Sequence, residues 1–173
     1  TARAKIMKKY NPDIVLLQES SDPGRKVMCK VLGDGWRYDS NGKSVAVMSS
    51  PRVKPYGMKR TASFGTAFGH GAVLRPFKID GIGFDVASQH TRPRSVATDA
   101  QKDADIAKGV KLFGTWPGIF GGDFARNVPA LKGWVRATPR DDSMDKAGVQ
   151  TPDAIFVKGQ ISVVSAKVID PGK

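Results

Sequence analysis

The chain carries a single cysteine, Cys29, which excludes an internal disulfide and leaves nothing that points to an oxidising compartment. Long apolar runs are missing as well: no stretch approaches the roughly 20 residues that a bilayer-spanning helix needs. No secretory leader is visible, because Thr1-Ala2-Arg3-Ala4-Lys5 is basic and has no apolar segment behind it. These absences favour an intracellular protein. Internal repeats and low-complexity tracts are also lacking. The absence of a starting methionine hints at residues upstream.

Acidic side chains are scarce. Against 28 Lys and Arg stand 16 Asp and Glu, a net charge of +12. Such an excess selects anionic partners, nucleic acid first and anionic membrane surfaces second; solubility alone is the other reading. The basic residues are dispersed (Lys8-Lys9, Arg25-Lys26, Lys59-Arg60, Arg136 and Arg140), which suits a folded surface better than a disordered polycationic arm. With 173 residues, 40% hydrophobic and 25% charged, the chain reads as one soluble domain, residues 1–173, large enough to bury a core. Nothing in it fixes an oligomeric state.

What is there is a set of short apolar strands between helices. A short amphipathic helix is expected over residues 3–10, then a buried strand from Asp13 to Leu17 that is apolar on both faces. A helix near 25–32 ends at Gly33-Asp34-Gly35. Strands are expected at Trp36–Asp39, Ser44–Ser49, roughly 67–77 and Ile82–Gln89, with Asn41-Gly42 and Asp80-Gly81 as hairpin turns. Residues 97–113 carry an alanine stripe (Ala97, Ala100, Ala104, Ala107) beside Ile106, Val110 and Phe113, a helix that Ser95 or Thr98 would cap. A strand at 118–120, a short helix around 128–134, a polar loop over 138–151 and strands at 153–157 and 161–169 complete the pattern. Hairpins mixed with helices imply a layered α/β sandwich rather than a regular βαβ series.

The chemistry sits at strand ends. The first apolar run delivers Glu19, the second His90, the third Asp123, and the fourth opens on Asp153. A rim carboxylate either holds a cation or is solvated surface. Two carboxylates and an imidazole at strand C-termini would converge on one rim of a sheet, where open α/β folds place ligands. Carboxylate oxygens are hard donors suited to Mg²⁺, and a histidine beside such an ion can protonate a departing alkoxide. Arg92 and Arg94 follow His90 directly, as phosphate contacts or as plain surface charge. His70, between Gly69 and Gly71, reads as a turn histidine, and Asp141, Asp142 and Asp145 as a solvated acidic loop. The three tryptophans, Trp36, Trp116 and Trp134, read as packing anchors.

Read together, "PDIVLLQES", "SVAVMSS", "DVASQH", "GIFGGDF" and "TPDAIFV" resemble, in order, the strands of the endonuclease/exonuclease/phosphatase superfamily. That resemblance implies an α/β fold, a four-layer α/β/β/α sandwich of two mixed sheets. It implies Mg²⁺, with Mn²⁺ as an alternative, held by Glu19. His90 would be the general acid or phosphate contact, Asp123 would orient the attacking water, and Asp153 would orient a later histidine. The family's first strand, bearing an asparagine, and its C-terminal Ser-Asp-His motif have no counterpart here, so the chain is expected to be truncated at both ends. Where the family has asparagine after Gly-Asp-Phe, this chain has Ala125. The leading expectation is a Mg²⁺-dependent phosphodiesterase acting on nucleic acid. The alternatives are a phosphatase or phospholipase on a small phosphoester, and a catalytically impaired module that binds nucleic acid or protein.

Overall fold

The computed structural model describes residues 2–65, 69–138 and 153–166. The chain opens with α1 (Ala2–Tyr10), β1 (Ile14–Leu17), α2 (Asp22–Leu32), β2 (Arg37–Ser40) and β3 (Ala46–Ser49). The three strands form a small sheet in the order β1-β3-β2, and both of its pairings are antiparallel. Next come β4 (Lys54–Pro55), β5 (Arg60–Ser63), β6 (Gly71–Ile79), β7 (Ile82–His90), α3 (Asp99–Val110), β8 (Gly118–Asp123), β9 (Val135–Arg136) and β10 (Asp153–Lys158). These strands make a mixed seven-stranded sheet, β4-β6-β7-β8-β10-β9, with β5 also on β6 and β7–β8 its parallel pair. Among the described residues no helix is long and apolar enough to cross a membrane.

Local chemistry sets the boundaries. The Ser21 hydroxyl accepts from the Gly24 N–H at 3.2 Å to cap α2, and Gly33 ends that helix at φ 113°. Thr98 and Gln101 form a reciprocal capping box at the start of α3. Asp80 and Gly81 both have positive φ, 49° and 81°, the two-residue turn that matches the twist of a hairpin. That turn fixes the β6–β7 register, from Ile79 opposite Ile82 out to Gly71 opposite His90.

Strand alternation then builds three cores. Val45, Val47, Val73, Phe77 and Val86 meet between the two sheets, joined by Ile14 and Leu16. Leu17, Ala46 and Met48 point the other way, under α1 and α2, against Ala4 and Met28. Leu74, Ala87, Phe120, Phe124 and Phe156 face α3 through Ile106. Helix, sheet, sheet and helix are therefore stacked in that order, as the family resemblance implied.

The helix expected over 97–113 is α3; its alanines at 100, 104 and 107 face solvent, and it buries Lys102, Asp105, Ile106 and Gly109. Other expectations are corrected. Residues 128–134 form no helix: Pro129 lacks a donor, Gly133 turns at φ 80°, and the Trp134 N–H bonds back to Leu131 at 3.0 Å. Residues 161–166 pair with no strand, because both edges of β10 are already taken by β8 and β9; the remainder of that expected strand, and the loop over 139–151, lie outside the described residues. The strands β4, β5 and β9 are additional to those expected.

At the β7–β8 seam, position 122 has no room for a side chain. Gly122 has φ 155°, and a Cβ there would collide with the carbonyl oxygen of Gln89 on β7. Gly42, by contrast, has φ 82° with nothing within 4 Å of its Cβ position. Gly122→Ala should therefore cost about 3 kcal/mol of unfolding free energy, combining overpacking with backbone strain, whereas Gly42→Ala should cost about 1 kcal/mol. Urea denaturation checks both; equal losses would show that the seam relaxes freely.

Candidate active site

Four strand ends meet at one edge of the sandwich. His90 closes β7, Asp123 closes β8, and Asp153 opens β10; the registers set His90 opposite Asp123 and Asp123 opposite Asp153. Glu19 arrives from the other sheet, two residues past β1. The His90 Nε2 lies 4.0 Å from Glu19 Oε1 and 3.9 Å from Asp123 Oδ2. One imidazole is thus flanked by carboxylates contributed by different sheets. A cavity of about 350 Å³ opens beside them, lined by Gln18, Gly122, Thr138 and Asp153 among others.

Glu19 is held there by its neighbours rather than by its own side chain, which is 74% exposed. Its backbone is left-handed, φ 51°, a conformation that a glutamate keeps only when its surroundings impose it. The next residue, Ser20, is buried and donates its N–H to the Ser44 carbonyl at 3.0 Å. Arg25 of α2 is itself only 1% exposed. Its guanidinium donates to the Ser20 carbonyl, to the Ser20 hydroxyl at 3.1 Å and to the Lys43 carbonyl at 3.0 Å. On the strand side, the Gln18 amide donates to Ser88 at 2.8 Å, and the Ser88 hydroxyl donates to the Leu17 carbonyl at 3.2 Å, which pins β1 to β7. Arg25 escaped the sequence reading because its value lies in backbone carbonyls, which no side-chain pattern advertises.

Asp123 is also pre-set. Its Oδ1 accepts the Ala125 N–H at 2.8 Å, leaving Oδ2 towards His90. Ala125 has φ 51°, a left-handed geometry that asparagine tolerates far better than alanine. Across the strand pair, desolvation and then the Asp123 charge push the Asp153 carboxyl up to about 6, although the residue retains solvent contact. Two facing carboxylates of this kind form an edge that a cation would relieve. Among the described residues no three His, Cys, Asp or Glu converge to hold a metal by themselves.

The two arginines part company. Arg92 makes a two-pronged ion pair with the fully buried Asp105 of α3, at 2.7 and 3.0 Å. Arg126, beyond Asp123, is likewise tied to Asp103 on the same helix at 2.7 Å. Both site loops are therefore clamped to α3 by guanidinium groups. Arg94 is exposed. His70, read from sequence as a turn residue, is buried with its ring centroid 4.5 Å from that of His90 at an interplanar angle of 60°. Asp141, Asp142 and Asp145 lie outside the described residues.

Two outcomes follow from this geometry. Arg92→Ala leaves the buried Asp105 with only Lys108, at 4.0 Å, and should cost about 3 kcal/mol, whereas Arg94→Ala should stay within about 0.5 kcal/mol; thermal melts separate the two. Asp153 binds its proton more tightly folded than unfolded, so between pH 3.8 and about 6 its contribution to stability is lost as pH rises. Without added divalent metal, Asp153→Asn should melt higher than the parent at pH 7.5, with the gap closing below pH 4. A gap independent of pH would remove the titration from the explanation.

A sequence profile of the Endonuclease/Exonuclease/phosphatase family matches residues 4–173. No curated protein sequence matches the chain. Among solved structures it is similar to TDP2 of D. rerio complexed with single strand DNA product, with TM-score 0.70, 15% identity, 91% of this chain and 76% of that one covered. It is similar to a functionally unknown conserved protein of Enterococcus faecalis, with TM-score 0.71, 13% identity and coverages of 91% and 78%. A mannosyl-6-phosphatase of Bacteroides thetaiotaomicron gives TM-score 0.67, 17% identity and coverages of 91% and 75%. At these identities the likeness is one of fold, and it is the same layered fold. With the profile spanning nearly all of its length, the chain belongs to the endonuclease/exonuclease/phosphatase family.

Proposed function

We propose that the protein is a divalent-metal-dependent phosphodiesterase that hydrolyses nucleic acid. The observation that carries this reading is the placement of one imidazole nitrogen about 4 Å from carboxylates of both sheets. Glu19, with Asp123 beside it, would hold Mg²⁺ or Mn²⁺. A bound cation supplies Lewis-acid neutralisation of charge on the phosphate. Asp123 Oδ1 is occupied by the Ala125 N–H, so Oδ2 is the oxygen that orients water and takes its proton. His90 Nε2 donates to a phosphate oxygen or to the departing alkoxide. Asp153, opposite Asp123, sets the charge around that base. The net charge of +12 favours a polyanionic substrate over a small phosphoester. A structural neighbour in complex with single strand DNA product supports the same choice. Arg94 is the substrate-facing cation of the site's rim, while the charge of Arg92 is taken up by Asp105.

One observation favours a second reading. Ala125 stands where an amide side chain would reach the phosphate, in a backbone conformation that costs alanine about 1 kcal/mol. On that reading the protein is an impaired member that binds nucleic acid without turnover.

Plasmid nicking with Mg²⁺, with and without chelator, decides between them. The parent should nick and lose activity with chelator, and Glu19→Ala and Asp123→Ala should each lose on the order of 100-fold. Undiminished activity in both variants would sink the site assignment; salt-dependent binding without nicking would establish the second reading. Arg94→Ala should lower the salt slope of DNA binding by about one. Ala125→Gly and Ala125→Asn should both raise the melting temperature, and only the asparagine should raise turnover.

A further inference from the structure

His90 is 7% exposed, and its Nδ1 is buried with no hydrogen-bond partner among the described residues. An imidazole that works through one nitrogen normally has its orientation set by a bond at the other. Here that bond is missing, yet Nε2 still faces Glu19 and Asp123. The group against the ring is His70, packed edge to face at 4.5 Å and itself 6% exposed.

The placement of His70 is fixed from several directions. A Cβ at the next residue, Gly71, would strike the Ala62 carbonyl of β5, so β5 and β6 meet there at backbone distance. The preceding carbonyl, of Gly69, accepts from the Asn41 amide at 2.9 Å and the Ser44 hydroxyl at 3.2 Å. The His70 carbonyl accepts from the Phe64 N–H at 3.3 Å. A residue positioned by two sheets and set against an under-tethered imidazole has a clear mechanical consequence.

We propose that His70 is a positioning residue, whose ring fixes the rotation of His90 and so aims Nε2 at the gap between Glu19 and Asp123. The proposal rests on the phosphodiesterase reading of the site only for its kinetic consequence, since the brace itself is a property of the two rings. Burial, and then the neighbouring His90, hold the His70 imidazole below its ordinary range against the opposing pull of Asp123, Glu19 and Asp105. Aromatic pairs in this edge-to-face arrangement are favourable beyond their buried area.

The test compares His70→Ala with His70→Phe, which keeps a ring at the same place. On plasmid DNA with Mg²⁺, His70→Ala should lower kcat about 10- to 100-fold, as expected for a misaimed group, with KM changed by less than about twofold. His70→Phe should recover most of that loss. Independently of turnover, the ¹H–¹⁵N ring correlations of His90 should report one dominant ring environment in the parent and in His70→Phe, and averaging or broadening in His70→Ala. An unchanged His90 spectrum in folded His70→Ala overturns the proposal, as does a kcat loss matched by His70→Phe. A parent protein that does not turn over, combined with the expected spectral change, refutes the phosphodiesterase reading and upholds the brace.

Discussion

The site depends on one close contact, the parallel pairing of β7 with β8 at Gly122. That pairing brings His90 level with Asp123 and, one strand further, Asp153. Parallel neighbours need a crossover, and α3 provides it. The same helix then receives Arg92 and Arg126 from the loops beyond the two strand ends. A side chain at position 122 would push the strands apart where their chemistry meets, so the missing Cβ is a condition for the imidazole–carboxylate pair. The aromatic cluster beneath, Phe113, Phe120, Phe124 and Trp134, makes the position of β8 hard to change, because repacking large rings in a dense core is costly.

A second dependency runs through the β2–β3 turn. Residues 41–44 touch both the Glu19 corner, through Ser44 to Ser20 and Lys43 to Arg25, and the segment before His70, through Asn41 and Ser44 to Gly69. Asn41 also accepts from the Lys43 and Val45 N–H groups, so its side chain organises the turn that it anchors. The acid from one sheet and the imidazole of the other are thereby referenced to the same four residues. Arg75 paired with Asp39 at 3.2 Å adds an ion pair between the sheets further along.

Much of this was legible in the sequence for a physical reason. Near the site β7 and β8 are mostly buried and β1 is apolar throughout, so these three read as largely apolar runs leading to a polar residue, whereas β10 opens on Asp153 and alternates, with Ile155 exposed. Edge strands β4, β5 and β9 left no such mark, because Lys54-Pro55, Arg60–Ser63 and Val135-Arg136 are short and polar and gain their order from β6 and β10. Arg92 was indistinguishable from a phosphate contact, since its partner Asp105 lies a helix away. His70 was within reach. With Asp80-Gly81 as a two-residue turn, counting outward along the hairpin puts Gly71 opposite His90, and hence His70 beside it. The glycines flanking His70 suggest a turn, and only the hairpin register brings it to His90.

Because Glu19 belongs to the small sheet and its partners to the large one, the site is also a measure of how the two sheets are joined. A ligand that engages both, whether cation or phosphate, binds only while the sandwich is closed. By linkage it stabilises the interface by the free energy of its binding. The small sheet has three strands, and the hydrogen bonds that tie it to the large one include those of Ser88, Gln18 and Asn41. Partial opening along that seam would dissolve the site while leaving the seven-stranded sheet folded. Occupancy of the site and cohesion of the fold are therefore coupled equilibria.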